Sequence, residues 1–597
     1  MHFPRFKRKK ADQRKGRNMV TLKIDGRTVQ ATESMTVLEA ALQEGIKIPT
    51  LCNLKDINNI GACRVCLVED AKTHRLMASC VMPVSEGMEV ITNSAAVLSA
   101  RRAVLELILS DHDRSCLTCK RNQSCELQTL SDELGIIDIE FDGARIVRTI
   151  DDVSPCVVRD NNKCILCRRC VAACSAMQSV HAIGMQERGY KTHIGSSFES
   201  SLNDVACINC GQCIAACPTG ALTEKDATKA VWAALADPDT FVVFQPAPAV
   251  RVAIGEEFGM PIGTRCTGKM VAAMRRLGAN MVFDVDFAAD LTIMEEGTEL
   301  LGRITNGGVL PMITSCSPGW VKYCEHFYPE FLPNLSTCKS PNQMQGALTK
   351  TFYAQRAGLD PKKMFVVSVM PCTAKKFEIR RDGMGRDGYY DVDASLTTRE
   401  LARMIKQASM DFANLPDEEF DELLGESTGA GVIFGVTGGV MEAALRTVAD
   451  VLTGEDLERI EHTAVRGFSG IKEATVKIGD REIRTAIVHG TGNAAKLLDA
   501  IKAGEAKYDF IEVMGCPGGC ITGGGQPIVD ARTRYKTNVQ MKRASAIYSE
   551  DEAKFIRKSH KNPSIQKIYD EFLEKPNSHK AHELLHTHYT DRSALKN

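Results

Sequence analysis

The sequence has almost no net charge. Its 74 Lys and Arg oppose 75 Asp and Glu, leaving −1 at pH 7. That balance removes the global electrostatic case for a nucleic-acid or membrane-surface protein. The chain also lacks an uninterrupted apolar run of about 18 residues, the length that a spanning helix needs. No apolar segment follows the basic stretch MHFPRFKRKKADQRKGRN, so a secretory signal is missing as well. Residues 1–19 are read as a basic, disordered leader, with patterned sequence opening at Met19. Nucleotide fingerprints are weak. IVHGTGNAA (487–495) offers a G-x-G-x-x-A turn of a kind common in any α/β sheet, and GVTGGVMEA lacks the Gly-Lys-Ser/Thr ending of a phosphate loop. No flavin or nicotinamide site is expected in this chain.

What the chain has is cysteine, 23 of them in 597 residues, in a protein whose 44% hydrophobic and 25% charged content fits a globular fold. Clustering into short CxxC groups favours metal over disulfides and points to a reducing, anaerobic cytoplasm. Cys164, Cys167, Cys170 and Cys174 are spaced C-x2-C-x2-C-x3-C, and Cys207, Cys210, Cys213 and Cys217 repeat the spacing, with Pro218 next. Soft thiolates in this run hold two [4Fe–4S] cubes, the fourth cysteine of each run crossing to the other cube. The expected sets are Cys164, Cys167, Cys170 with Cys217, and Cys207, Cys210, Cys213 with Cys174. Cubes move single electrons, so an entrance and an exit must lie elsewhere in the chain. Cys156 lies outside both spacings and reads as a structural thiol.

Upstream, VTLKIDGRTVQAT reads as two strands around an Asp25–Gly26 turn, and SMTVLEAALQEG as a helix from near Ser34 to Gly45. Cys52, Cys63, Cys66 and Cys80 follow as C-x10-C-x2-C-x13-C, which suits a [2Fe–2S] centre better than the paired knuckles of zinc. His112, Cys116, Cys119 and Cys125 form H-x3-C-x2-C-x5-C, where an imidazole supplies the fourth bond of another cube.

The second half holds seven cysteines, several in loops after apolar runs. PMITSCSPGW contains Cys316, FVVSVMPCTAKKFE contains Cys372, and YDFIEVMGCPGGCITGGGQP contains Cys516 and Cys520. VVSVM and FIEVM read as buried parallel strands with loop chemistry at their carboxyl ends, where α/β folds place ligands. These three loops resemble the signature loops of [FeFe]-hydrogenases. FDVDFAADLTIMEE, DASLTTRELARMIK, TGAGVIFGVTGGVMEAALR and VRGFSGIKEA resemble further stretches of that family, so the resemblance covers about residues 20–590.

The resemblance implies an H-cluster, a [4Fe–4S] cube joined through one cysteine sulfur to a two-iron unit with CO, cyanide and a bridging amine dithiolate, and the reaction 2H⁺ + 2e⁻ ⇌ H₂. It implies Cys372, Cys516 and Cys520 as cube ligands, Cys520 bridging. It further implies Cys316 as the thiol that passes protons to the amine, Glu296, Ser336, Glu299 and Arg303 as the proton path, Lys375 as a cyanide holder, and Met370 and Met514 as pocket lining. One departure stands out: Ser317 occupies the position of the fourth cube ligand, usually cysteine. Three readings follow: Ser317 ligates as an alkoxide or leaves a weak iron site, Cys316 turns to the cube and yields its proton role to Ser317, or the cube has an altered potential. Asn342 and Ala249 replace a usual glutamine and serine.

The expected architecture is multidomain, α/β and α+β. A β-grasp [2Fe–2S] domain spans 20–98, a His/Cys3 [4Fe–4S] domain 99–145, a bacterial two-cube ferredoxin domain 146–228 and an α/β H-cluster domain 229–540. A helical segment over 541–597 is expected to wrap the catalytic domain. The expected function is the hydrogen-handling subunit of a cytoplasmic complex, with a flavin/NAD-binding subunit, a small [2Fe–2S] subunit and ferredoxin as partners. A stand-alone ferredoxin-dependent hydrogenase is the alternative, and an electron-transfer or hydrogen-sensing protein the alternative of another class. Cys266, Cys324 and Cys338 read as buried core thiols. The histidines of HKNPSIQKIYDEFLEKPNSHKAHELLHTHY read as surface or packing residues.

Overall fold

A computed structural model describes residues 18–141, 143, 145–453, 465–478 and 481–593. All but the last two residues of the expected leader therefore lie outside the described residues. The chain next forms a five-stranded sheet in the order Arg27–Thr32, Met19–Ile24, Glu89–Ile91, Leu67–Asp70, Leu76–Ala78. Asp25 (φ 49°) and Gly26 (φ 77°) make the hairpin turn, both in the left-handed region that D-G supplies cheaply. The helix Val37–Gln43 starts at Thr36, two residues from Ser34. Thr36 and Glu39 form a reciprocal capping box, whereas the Ser34 hydroxyl bonds Thr32 Oγ1 at 3.2 Å.

Ser94 caps the helix Ala95–Ser110 by accepting from Val97 N–H at 3.2 Å. The expected boundary at 98/99 falls inside that helix, whose Leu105 and Leu109 pack with Leu127 and Leu130. The two-cube region is a small three-stranded sheet with the short helices Arg169–Ala172 and Gln212–Ala216.

The largest part holds two four-stranded sheets. The first is wholly parallel: Met281–Val282, Phe241–Pro246, Met364–Met370, Ala394–Thr397. The second runs Met312–Ile313, Phe510–Met514, Arg481–His489, Ile471–Ile478, with only the last pair antiparallel. The strand at 510–514 is buried throughout and that at 364–370 nearly so, which is why each is mostly apolar; the buried Glu512 is satisfied by the Gly438 and Met441 N–H groups. The 22-residue helix Val285–Asn306 is buried along most of its length. Past the expected 540/541 boundary, which falls inside the helix Val539–Ala553, the chain returns to the same cores. Ile547 packs among Val432, Val440 and Met514, and Ile565, Leu573 and Leu585 pack against Phe283, Phe287 and Met344. Among the described residues, no helix is long and apolar enough to cross a membrane.

Candidate active site

Three cysteine loops leave the carboxyl ends of parallel strands and meet around one cavity of about 80 Å³. Cys316, Cys372, Cys516 and Cys520 all line it, as do Ser317 and Lys375. Met370 and Met514 form apolar wall. Glycines allow the loops to close. A Cβ on Gly523 would lie 2.2 Å from Pro371 O, and one on Gly524 2.1 Å from Cys210 O, so neither position accepts a side chain. The GGG run thus presses the Cys520 loop onto the Cys372 loop and onto the second cysteine repeat.

The sulfurs fit an iron centre. Burial pushes the Cys372 and Cys516 thiols up, and Cys520 to about 12, with Lys375 opposing the shift at Cys372 and Cys520. Three such thiols ionise together only when a cationic group joins them, as a metal cluster does. The Lys375 ammonium donates to Ser340 Oγ at 2.8 Å, to Glu378 at 2.9 and 3.0 Å, and to Cys316 O at 3.3 Å. Ser340 and Glu378 were not singled out by the sequence reading; the only signal was Glu378 three places after Lys375 in KKFE. Asn342 donates to Glu378 at 3.3 Å and accepts from Gln245 at 2.9 Å. Ala249 is fully buried, its carbonyl accepting from Gln526 at 2.8 Å. Ser317 precedes Pro318, the first residue of the helix Pro318–Phe327, and its Oγ accepts from Gly515 N–H at 3.1 Å.

From this cavity a line of polar side chains runs along the helix Val285–Asn306. Glu296 is buried, and burial raises its carboxyl to about 8, with the Ser336 hydroxyl in hydrogen-bond reach. Ser336 Oγ donates to Glu299 Oε2 at 3.0 Å, and Arg303 donates to Glu299 Oε1 at 2.6 Å. Arg303 also donates to the carbonyls of Val309, Pro333, Asn334 and Leu335, which fixes its place near the surface.

On the other side lie the remaining cysteine sets. Cys164, Cys167, Cys170 and Cys217 line one small cavity. Cys174, Cys207 and Cys213 are close enough for their charges to interact, and Cys210 interacts likewise with Cys207, Cys213 and Cys516. Thr373 Oγ1 donates to Asn209 O at 2.6 Å and Gln212 to Thr522 O at 3.0 Å, so the second repeat is bolted to both cavity loops. Cys52, Cys63, Cys66 and Cys80 are all buried, with Cys52 Sγ 3.5 Å from Cys63 N and in reach of Cys80. His112 shares a pocket with Cys116 and Cys125. Burial lowers its imidazole to about 4, and Nδ1 is buried without a partner, which suits a neutral nitrogen ligand. Cys119 Sγ would lie 2.5 Å from a Cβ on Gly220, two residues after Pro218. Cys156 is wholly buried outside these sets. The Gly490–Gly492 turn serves packing: Thr491 bonds Gln178, and a Cβ on Gly492 would meet Met177 O at 2.9 Å.

A profile described as iron only hydrogenase large subunit, C-terminal domain, matches residues 240–524, and one for the iron hydrogenase small subunit matches 537–592. Profiles for a 2Fe-2S binding domain, an NADH-ubiquinone oxidoreductase-G iron-sulfur region and a 4Fe-4S dicluster domain match 17–95, 101–140 and 163–221. The chain belongs to the iron-only, or [FeFe], hydrogenase family. Within it, the chain is 50% identical to the NADP-reducing hydrogenase subunit HndD of Solidesulfovibrio fructosivorans, over 97% of this chain and 100% of that one. It is 44% identical to iron hydrogenase 1 of Clostridium pasteurianum, over 96% and 100%. A solved [FeFe]-hydrogenase HydA1 from Chlamydomonas reinhardtii matches with TM-score 0.55 and 42% identity, over 62% of this chain and 99% of that one. The chain is therefore a hydrogenase catalytic subunit with iron–sulfur domains and an H-cluster domain.

Proposed function

We propose that the chain interconverts protons and H₂ as the hydrogen-handling subunit of a cytoplasmic multi-subunit complex. Its electron partners are a flavin/NAD(P)-binding subunit, a small [2Fe–2S] subunit and ferredoxin. The observation that carries this reading is the convergence of Cys372, Cys516 and Cys520 on one cavity, with Cys210 of the second repeat beside Cys516. Similarity over nearly the full length of an NADP-reducing hydrogenase subunit supports the complex.

The proposed cofactors are one [2Fe–2S] cluster on Cys52, Cys63, Cys66 and Cys80, three [4Fe–4S] cubes, and the H-cluster. The cubes rest on His112, Cys116, Cys119 and Cys125, on Cys164, Cys167, Cys170 and Cys217, and on Cys174, Cys207, Cys210 and Cys213. The H-cluster, when bound by Cys372, Cys516 and Cys520, supplies the two-electron chemistry at which H₂ forms or splits. Ser317 Oγ, polarised by Gly515 N–H, is the proposed fourth ligand. Lys375, held by Ser340 and Glu378, presents an ammonium to the cavity for an anionic ligand. Cys316, Glu296, Ser336, Glu299 and Arg303 hand protons between cavity and surface, each neighbour in hydrogen-bond or short-step reach. Met370 and Met514 keep the cavity apolar. The domains proposed are those of the sequence reading, with the 98/99 boundary moved to Ser94 and the 540/541 boundary to Asn538.

Purification from the native cell, followed by assay with NADH, NADPH and reduced ferredoxin, tests the complex. Co-purification with a flavoprotein and pyridine-nucleotide-dependent H₂ evolution are expected. Full saturation of the isolated chain by ferredoxin alone favours the stand-alone hydrogenase instead.

A further inference from the structure

Two segments far apart in sequence meet beside the proton line. Cys338 and His586 face each other as an antiparallel bridge. It is clamped by Lys339 N–H donating to Leu585 O and Thr587 N–H donating to Thr337 O, both at 2.7 Å. Cross-strand partners of this kind hold their Cβ atoms within about 5.5 Å. Glu299 reaches the same point from the helix Val285–Asn306. Its carboxylate, the Cys338 sulfur and a ring nitrogen of His586 all lie within 4.8 Å of one another.

We propose that Glu299, Cys338 and His586 form a binding site for a zinc-class divalent cation, and that occupation of this site shuts the proton line. Thiolate, imidazole and carboxylate are the donor types zinc selects, and three of them leave a fourth position for water. Cys338 Sγ lies 3.9 Å from Glu299 Oε2, a few tenths of an ångström beyond the spacing of about 3.5 Å that tetrahedral zinc–sulfur and zinc–oxygen bonds set. The imidazole is already oriented. Its Nε2 faces Glu295 Oε2 at 3.2 Å, and Glu295 is held in turn by Tyr569 OH at 2.6 Å and Asn577 N–H at 2.8 Å. This is the carboxylate–histidine support that metal-bound imidazoles use. Nδ1 is then the ligating nitrogen, given up by the Thr337 hydroxyl that now bonds it at 2.7 Å. On binding, the Cys338 thiol proton leaves to solvent.

The inhibitory effect follows from one oxygen. Glu299 Oε1 accepts from Arg303, whereas Oε2, which faces Cys338, accepts from Ser336; the Thr337 N–H is shared between the two oxygens at 3.2 and 3.0 Å. A cation on Oε2 displaces the Ser336 hydroxyl and removes the link between Ser336 and Glu299. This half of the proposal rests on Glu299 being a proton carrier; the binding half does not.

The test is a titration of the matured full-length chain with zinc chloride, read by zinc K-edge X-ray absorption and by H₂ turnover with an artificial donor. One zinc per chain is expected, with a single sulfur at about 2.3 Å and nitrogen or oxygen at about 2.0–2.1 Å. Cys338→Ala should remove the sulfur shell, and both it and His586→Gln should raise the half-inhibitory zinc concentration at least tenfold. A sulfur shell that survives in Cys338→Ala overturns the site. Zinc bound with the expected shell at unchanged turnover overturns the inhibitory half and the proton assignment of Glu299 together. No sulfur-bound zinc, with turnover still lost in Glu299→Gln, overturns the metal site and keeps the proton line.

Discussion

Glu296 is a buried carboxyl whose proposed work requires a mobile proton. Burial raises its carboxyl to about 8, from an ordinary 4.5. The sign is fixed by that direction. The folded chain holds the proton more tightly than the unfolded one, so this group favours folding below 4.5 and that favour is lost as pH rises toward 8. At neutral pH it is therefore a neutral acid able to donate toward Cys316. Hydrogen evolution with a saturating donor should fall with an apparent midpoint near pH 8. Glu296→Gln should lose about 100-fold or more at every pH, the scale of a missing acid–base group, with iron content unchanged. Wild-type turnover in Glu296→Gln would exclude this residue from the proton path. Ser317 is the other decisive position. Ser317→Cys should change the electron paramagnetic resonance of the reduced cavity cube by replacing a hard oxygen with sulfur. Ser317→Ala should lower the occupancy of one iron and leave Gly515 N–H without its acceptor. Identical spectra in wild type and Ser317→Ala would mean that oxygen does not ligate.

The loops that carry these residues depend on backbone contacts too close for any side chain. Gly524 lies against Cys210 O, with 2.1 Å left for a Cβ, and this contact joins the second cysteine repeat to the Cys516–Cys520 loop. Gly524→Ala must push the two loops apart, at a cost of about 1–3 kcal/mol in packing. The expected signature is selective: slower reduction of the cavity centre while the other clusters reduce normally in freeze-quench spectra. Uniformly normal kinetics would remove Gly524 from the electron route. Local pattern carried much of this region. VVSVM and FIEVM are mostly apolar because their strands are buried almost throughout, with Ser368 and Glu512 the polar members, and the CxxC groups are short-range signals. Other features left no local trace. Ser340 holds Lys375 from another segment, Gln178 reaches Gly515 at 2.9 Å across the two-cube boundary, and Cys338 meets His586 across the fold. Tertiary packing alone sets such pairs. The cap at Thr36 was missed for another reason: two hydroxyl residues compete there, and the Glu39 partner decides between them.

In the function proposed, the modules form a branched relay. Asn58 donates to Cys52 O at 2.8 Å and to Cys167 O at 3.0 Å, tying the Cys52 loop to the Cys167 loop. Cys119 approaches Gly220, three residues after Cys217. Both outer modules therefore abut the Cys164–Cys217 set, and one buried side chain fastens all three. Arg169, 1% exposed, donates to Glu126 at 2.7 and 3.0 Å and to Asn53 O at 2.9 Å. Removing one member of a buried pair leaves an uncompensated charge and costs about 3–5 kcal/mol. Glu126→Gln keeps the shape and strands the guanidinium, so the outer modules should undock more often while the catalytic sheets stay closed. Hydrogen exchange in the helix Glu126–Glu133 is expected to quicken by about 100-fold, the equivalent of about 3 kcal/mol, with strands 364–370 and 510–514 unchanged. Turnover with a donor that enters at the outer clusters should fall, whereas turnover with a small artificial donor able to reach the inner cubes should be retained. If exchange quickens equally in the catalytic sheets, Arg169 supports the whole fold and not the junction of the three modules.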